Sequence, residues 1–224
     1  MRFFILTLLL AFSVHAKGSP TSKPAELIPT VIEEIQSTFK KIQTIETKFQ
    51  QTVKSARFGE KKSSGKLSIQ RPGKMIWNYD DPKGKIFSAN GDIITLYDPE
   101  DNQALISPQP KNGRLPAGLS FLMGNSNLTD YFFVEVVKDS KNLSGHREVK
   151  LLCKPRGEVS EFKELELVFE WNPQLVLTMT RTTDVLDSKN QIDFKDMKLN
   201  RSFSSKIFDV KLPKNVPVVT SNAL

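Results

Sequence analysis

The spacing of apolar residues along the chain changes character near residue 64. Before it, Ile28, Ile32, Ile35, Phe39, Ile42, Ile45, Phe49 and Val53 recur at steps of three and four, with Lys, Glu, Gln and Thr between them. This predicts a long amphipathic helix over residues 29–53 with one stripe to bury. Pro29 suits its first position, where a missing N–H is not needed.

From residue 64 the period becomes two. Leu67 and Ile69 alternate with polar neighbours, as do Met75, Trp77 and Tyr79. Turn signals recur at Arg71-Pro72-Gly73, Asp80–Gly84, Asn90-Gly91-Asp92 and Asp98–Asp101. Asn-Gly between apolar runs is a strong hairpin signal. The pattern predicts strands near 64–70, 74–80, 84–89, 92–98 and 102–107, then 147–154, 161–171, 175–184, 190–200 and 206–212. Such a meander reads as one large antiparallel sheet that curls.

The middle of the chain breaks this rhythm. Leu115–Gly124 is short, apolar and bounded by Pro and Gly, and Leu128–Val137 is a second apolar stretch, helical at its start. One helix stripe and short helical pieces must cover one face of the sheet. The fold expected is therefore mainly β with α: an open, unclosed antiparallel half-barrel with a long N-terminal helix and a short helical lid.

Composition adds an address. Arg2, a mostly apolar run from Phe3 to Val14, and Val14-His15-Ala16 form the three parts of a cleavable signal peptide, residues 1–16. The run is too short to cross a bilayer, which takes about 20 apolar residues. Residues 17–24, rich in Gly, Ser, Pro and Lys, form a flexible leader, and 25–224 suit a single domain. The net charge of +7 is spread as scattered lysines mixed with acids, unlike a nucleic-acid footprint, so no nucleic-acid partner is expected. The one cysteine, Cys153, cannot form an internal bridge and reads as a small packed hydrophobe.

Catalytic constellations are missing from the pattern. After cleavage one His and one Cys remain, which excludes the usual metal spacings, and there is no Gly-rich phosphate loop. His146 lies in Ser144-Gly145-His146-Arg147, a turn composition. Neither an enzyme nor a cofactor is expected. Arg71 stands out because period two places it on the side of Leu67, Ile69, Met75 and Trp77. A guanidinium there needs acceptors, such as the free carbonyls at the end of a short helix like 115–124. The competing reading is a turn arginine reaching solvent, and arginine is mostly exposed.

Arg71-Pro72 followed by Trp77 resembles the Arg-Pro-x-x-x-x-Trp strand of the LolA family of periplasmic lipoprotein carriers. Thr47-Lys48-Phe49-Gln50-Gln51, Gly65–Gln70, Asn90-Gly91-Asp92, Leu96–Pro99 and Asn102-Gln103-Ala104 follow the family order. Leu115-Pro116-Ala117 and Phe121–Gly124 resemble its lid, and Phe208–Pro213 its closing strand. The chain ends at Leu224, so a C-terminal extension of the family type is short. The resemblance implies a hydrophobic cavity for acyl chains lined by Phe49, Leu67, Ile69, Met75, Trp77, Leu96, Leu119, Phe121, Leu122, Met123, Leu167, Phe169, Leu177 and Met179. It implies that Arg71 bonds to lid backbone in the closed form.

It further implies a monomeric periplasmic carrier of outer-membrane lipoproteins. Such a carrier is loaded by an inner-membrane LolCDE-type ABC exporter and delivers to the outer membrane, where a LolB-type receptor can accept the cargo. LolB-type receptors share the fold but are lipid-anchored through a cysteine directly after cleavage; here Lys17 follows Ala16. A lipid-sensing half-barrel that regulates a membrane partner is the competing function.

Overall fold

The computed structural model describes residues 30–109, 127–142, 145–157 and 162–220. The expected signal peptide (1–16), leader (17–24) and lid (115–124), and Pro29, lie outside them.

Helix α1 spans Val31–Lys40. Thr30 is its N-cap: the Thr30 hydroxyl accepts from the Glu33 N–H at 3.3 Å, and the Glu33 carboxylate accepts from the Thr30 N–H at 2.7 Å. This reciprocal pair satisfies two of the free donors at the helix start. The expected helix through residue 53 stops here. The chain turns at Lys41 and runs as strand β1, Thr44–Ser55. The step of four from Ile45 to Phe49 to Val53 keeps one face in a helix and in a strand alike. Thr44, Ile45, Thr47, Thr52 and Val53 are β-branched, which decides for the strand.

The remaining strands are β2 (Gly59–Gln70), β3 (Lys74–Asp81), β4 (Ile86–Asn90), β5 (Ile93–Asp98) and β6 (Gln103–Pro108), then, after the short helix α2 (Leu128–Tyr131), β7 (Phe132–Lys141), β8 (Arg147–Pro155), β9 (Phe162–Trp171), β10 (Leu175–Asp184), β11 (Lys189–Leu199) and β12 (Val218–Thr220). They form one sheet in the order β12-β6-β5-β4-β3-β2-β1-β11-β10-β9-β8-β7. Every pairing is antiparallel except β12 on β6. The two ends of that order, β12 and β7, do not pair, so the half-barrel is unclosed.

The expected closing strand over 206–212 is instead a 3-10 turn, Ser205–Phe208, followed by extended chain. Phe208 is 1% exposed there, and the Ser88 hydroxyl donates to its carbonyl at 2.8 Å. The last strand comes later and adds beside β6, with the Ala104 N–H bonded to the Pro217 carbonyl at 2.9 Å.

The sheet has two rims. Turns β2–β3, β4–β5 and β9–β10 lie at one, with the C-terminus of α1; this is the latch end. The β1–β2 and β10–β11 turns lie at the other, the hairpin end. At the latch end Gln109 ties two turns together. Its Nε2 donates to the Gly73 carbonyl at 2.8 Å, and its Oε1 accepts from the Gly91 N–H at 2.9 Å.

Candidate functional site: the apolar concave face

Register settles which residues share the inner face. Ile45 stands opposite Ile69, Thr47 opposite Leu67 and Phe49 opposite Gly65. Leu67 is opposite Trp77, and Ile69 opposite Met75. A Cβ at Gly65 would come within 2.1 Å of the Asn78 carbonyl oxygen. The bare glycine lets β2 and β3 approach and leaves room above it for the Phe49 ring. That ring meets Trp77 edge-on at 4.9 Å and Tyr79 at 5.0 Å.

One contiguous buried cluster covers this face and joins both halves of the sheet to α1. Of the residues singled out by sequence, Phe49, Leu67, Ile69, Met75, Trp77, Leu167, Phe169 and Leu177 belong to it. Leu96 shares their side, opposite Phe87 and Leu105, but is half-buried and outside the cluster.

Met179 requires a correction. β10 carries an extra residue relative to β9 between Leu177, opposite Phe169, and Met179, opposite Val168. This bulge reverses the parity and sets Met179 with Val168 and Asp193 on the convex side. Thr180 takes the inner position opposite Leu167. Leu119, Phe121, Leu122 and Met123 lie outside the described residues.

The list from sequence omitted Phe39, Cys153 and Phe194, which are all in the cluster. Phe39 meets Phe169 edge-on at 5.9 Å and so seats α1 on the second half of the sheet. Its signal was its spacing of four from Ile35 within the helix. Phe194 alternates with Ile192 in β11 and was legible by period two. Cys153 is fully buried, and burial pushes its thiol up to about 12. His146 is half-buried, with its Nε2 3.3 Å from a Glu170 carboxylate oxygen.

Arg71 reaches inward rather than to solvent. Its Nη1 donates to the Phe39 carbonyl and, at 2.9 Å, to the Ile42 carbonyl, while its backbone N–H donates to the Gln43 carbonyl at 2.9 Å. The guanidinium also stacks over the Phe39 ring, 4.9 Å from the centroid. Carbonyls in the last turn of a helix have no partner within it, and Arg71 supplies one. Burial lowers the guanidinium pKa to about 10, so it remains charged at neutral pH. Among the described residues these acceptors belong to α1 and the turn that follows it; the 115–124 lid expected to provide them lies outside.

An unclosed antiparallel sheet with an apolar inner face, capped by a helix pinned by one guanidinium, defines a half-barrel binding protein. Among the described residues no three His, Cys, Asp or Glu side chains gather as a metal site. The chain belongs to the LolA family: the family model "Outer membrane lipoprotein carrier protein LolA" matches residues 40–211. The outer-membrane lipoprotein carrier protein of Legionella pneumophila (strain Paris) is 31% identical over 220 residues, covering 98% of this chain and 99% of that protein. That of Methylobacillus flagellatus is 26% identical over 217 residues, covering 96% and 95%. A solved structure of an uncharacterized conserved protein from Thermus thermophilus superposes with a TM-score of 0.55 at 12% identity, covering 86% of this chain and all of that one, and shares the fold. LolA is a family of carriers, which bind and transport, rather than of enzymes.

Proposed function

We propose that this protein is a soluble, monomeric periplasmic carrier that holds the acyl chains of outer-membrane lipoproteins against its concave face. It receives them from an inner-membrane LolCDE-type ABC exporter and gives them up at the outer membrane, to a LolB-type receptor where one is present. Family membership supports this reading. The observation that carries it is the continuous apolar cluster running from β5 through β1 to β7 on an unclosed sheet.

Burying an acyl chain contributes roughly 0.8 kcal/mol per methylene, so a bare chain of ordinary length costs on the order of 10 kcal/mol in water. A carrier must bind that much apolar surface and still release it. Here the inner face is filled by its own side chains and by α1, so cargo must displace packing. Ile35 and Phe39 are the plug, and Arg71 holds the plug by its carbonyls. Opening breaks a few hydrogen bonds, each worth about 1 kcal/mol net, which leaves both states accessible. The same guanidinium is the residue we assign as latch for the 115–124 lid, whose Leu119, Phe121, Leu122 and Met123 would complete the wall around the chains.

Mass spectrometry of protein purified natively from periplasm is the direct test: co-purified lipoprotein is expected. A protein that stays free of lipoprotein and accepts none from loaded membranes overturns the proposal. Arg71→Leu removes the polar latch and leaves an apolar stem. It is expected to take up lipoprotein normally and release it poorly; transfer kinetics equal to wild type would remove Arg71 from the mechanism.

A further inference from the structure

The β1–β2 and β10–β11 hairpins stand side by side at the hairpin end. Lys54 of β1 faces Lys189 of β11 across the ladder. The β1–β2 turn, 56–58, begins just beyond Lys54, and the β10–β11 turn, 185–188, ends just before Lys189. Register therefore brings both tips to one height. Phe58 is 81% exposed, Leu186 77% and Val185 69%, the highest values of any large apolar side chain described.

Single exposed apolar residues are ordinary, but three bulky ones on two adjacent tips are not. They are not needed to close their turn: the Asp184 carboxylate accepts from the N–H groups of Leu186 and Ser188, both at 2.8 Å. Further along the same rim Phe133 is 58% exposed. The Phe58 and Phe133 rings each carry a guanidinium, Arg57 at 5.3 Å from the Phe58 centroid and Arg156 at 4.2 Å from that of Phe133.

The surroundings of the two tips are basic. Lys54, Arg57, Lys61, Lys62, Lys163 and Lys189 stand against Glu60, Glu100, Glu164, Asp184 and Asp187, an excess of one. Glu60 is bridged by Lys54 and Lys62, Glu100 by Lys61 and Asp187 by Lys163, and Asp184 is held by its own turn, while Arg57 and Lys189 are in no ion pair among the described residues. Apolar tips in a cationic collar match an anionic bilayer, where rings settle at headgroup depth and cations meet phosphates.

We propose that the paired hairpin tips dock this protein on an anionic phospholipid surface, by shallow insertion of Phe58, Val185 and Leu186. Docking is reversible, because a few side chains make the contact and no described helix is long and apolar enough to span a membrane. The contact lies at the rim opposite Arg71, so docking and latching are separable.

Flotation of the full chain with vesicles tests this. Binding to vesicles of phosphatidylethanolamine and phosphatidylglycerol is expected, weaker binding to phosphatidylcholine alone, and loss of the difference at high salt. The variant F58S/V185S/L186S changes only exposed side chains and should lose roughly tenfold or more of its partitioning. R57Q/K189Q should weaken binding to the anionic vesicles alone. Wild-type protein that stays off anionic vesicles, or a triple variant that floats like wild type, overturns the proposal. So does a triple variant whose one change is the loss of a concentration-dependent dimer, which would make a second copy the occupant. Binding of a fluorescent fatty acid is measured in parallel. The triple variant is expected to retain it, which separates a failure of docking from a failure of the carrier reading.

Discussion

The two halves of the sheet share one apolar inner face but solve their outer face differently. In β3–β6 the convex side is apolar or neutral: Ile76, Ser88, Thr95 and Ile106 form one row, and Ile86, Tyr97 and Ala104 lie in the next. Ile76 is 5% exposed, because the 3-10 turn packs on β3 and β4 beside it, and Ala104 is buried next to β12. Between the chain at and after this turn and the strands remains a cavity of about 230 Å3, lined in part by Thr95, Ile106, Phe208 and Leu212. In β8–β11 the convex side carries a polar chain beside Val168 and Met179. Lys150 pairs with Glu166, which accepts from Arg181 at 2.8 Å; Arg181 donates to Gln191 at 2.8 Å, and Gln191 to Asp193 at 2.9 Å. One half depends on a partner 120 positions away in sequence, while the other satisfies itself between neighbouring strands. The first half is therefore the one whose stability a distant change can remove.

Phe208→Ala is the strongest way to break the comparison. It deletes a ring that is 1% exposed and seals the first half, and a loss of about 3–5 kcal/mol is expected from the ring and the cavity it leaves. Urea unfolding measures it. A loss below about 1 kcal/mol would mean the outer face of β3–β6 does not need its cover. Fatty-acid binding to the folded variant should be unchanged, because Phe208 lies on the convex side, outside the inner apolar cluster.

The same contrast explains what was legible in the sequence. In β8–β11 the bounds follow period two almost to the residue, as Leu165, Leu167 and Phe169 share one face, although the bulge in β10 shifts its parity. In β3, Met75, Ile76 and Trp77 are all buried, and alternation undercounts a strand covered on both faces. Nothing local marks Phe208 as the cover of Ile76, because that contact is made by the returning tail. β1 was lost to the ambiguity of a step of four. Met179 was misplaced because a bulge leaves no mark in a pattern of apolar letters. Arg71 was legible in part: parity pointed it inward and its need for helix-end carbonyls was clear, but which helix supplies them depended on where α1 ends.

A smaller effect is expected from the polar half. The Glu166 carboxyl is pulled up by burial, but hydrogen bonds and charge from Lys150 and Arg181 outweigh this and hold it below the usual carboxylate range. A carboxyl lowered in the folded state stabilises the fold fully above its unfolded pKa, about 4.3. That contribution is lost as pH falls through the folded value. Glu166→Gln should therefore cost on the order of 1 kcal/mol at neutral pH, modest because Lys150 and Arg181 remain partly solvated. Its stability should converge on wild type as pH drops below about 4. Parallel stability curves from pH 7 to pH 3 would show that the network contributes nothing through charge.

The finest test asks whether the halves open independently. Cys153 sits on the inner face of β8, in the polar half, wholly buried and with its thiol pushed up to about 12. The thiolate is the reactive form, so native protein at pH 8 should resist iodoacetamide until it opens. Opening of the second half alone exposes this thiol, and opening of the first half alone does not. If the halves are separable, Phe208→Ala should label at nearly the wild-type rate despite its large stability loss. If the shared inner cluster couples them, labelling should accelerate by the full factor that the stability loss implies, about tenfold for each 1.4 kcal/mol. Phe49, Trp77 and Phe194 pack over the span from β3 across β2 and β1 to β11, with Trp77 and Phe194 6.5 Å apart, which favours coupling. The expected result is an accelerated rate that tracks the urea measurement. A rate unmoved by Phe208→Ala would show that the inner face, continuous as it is, does not carry the loss of the outer cover from one half to the other.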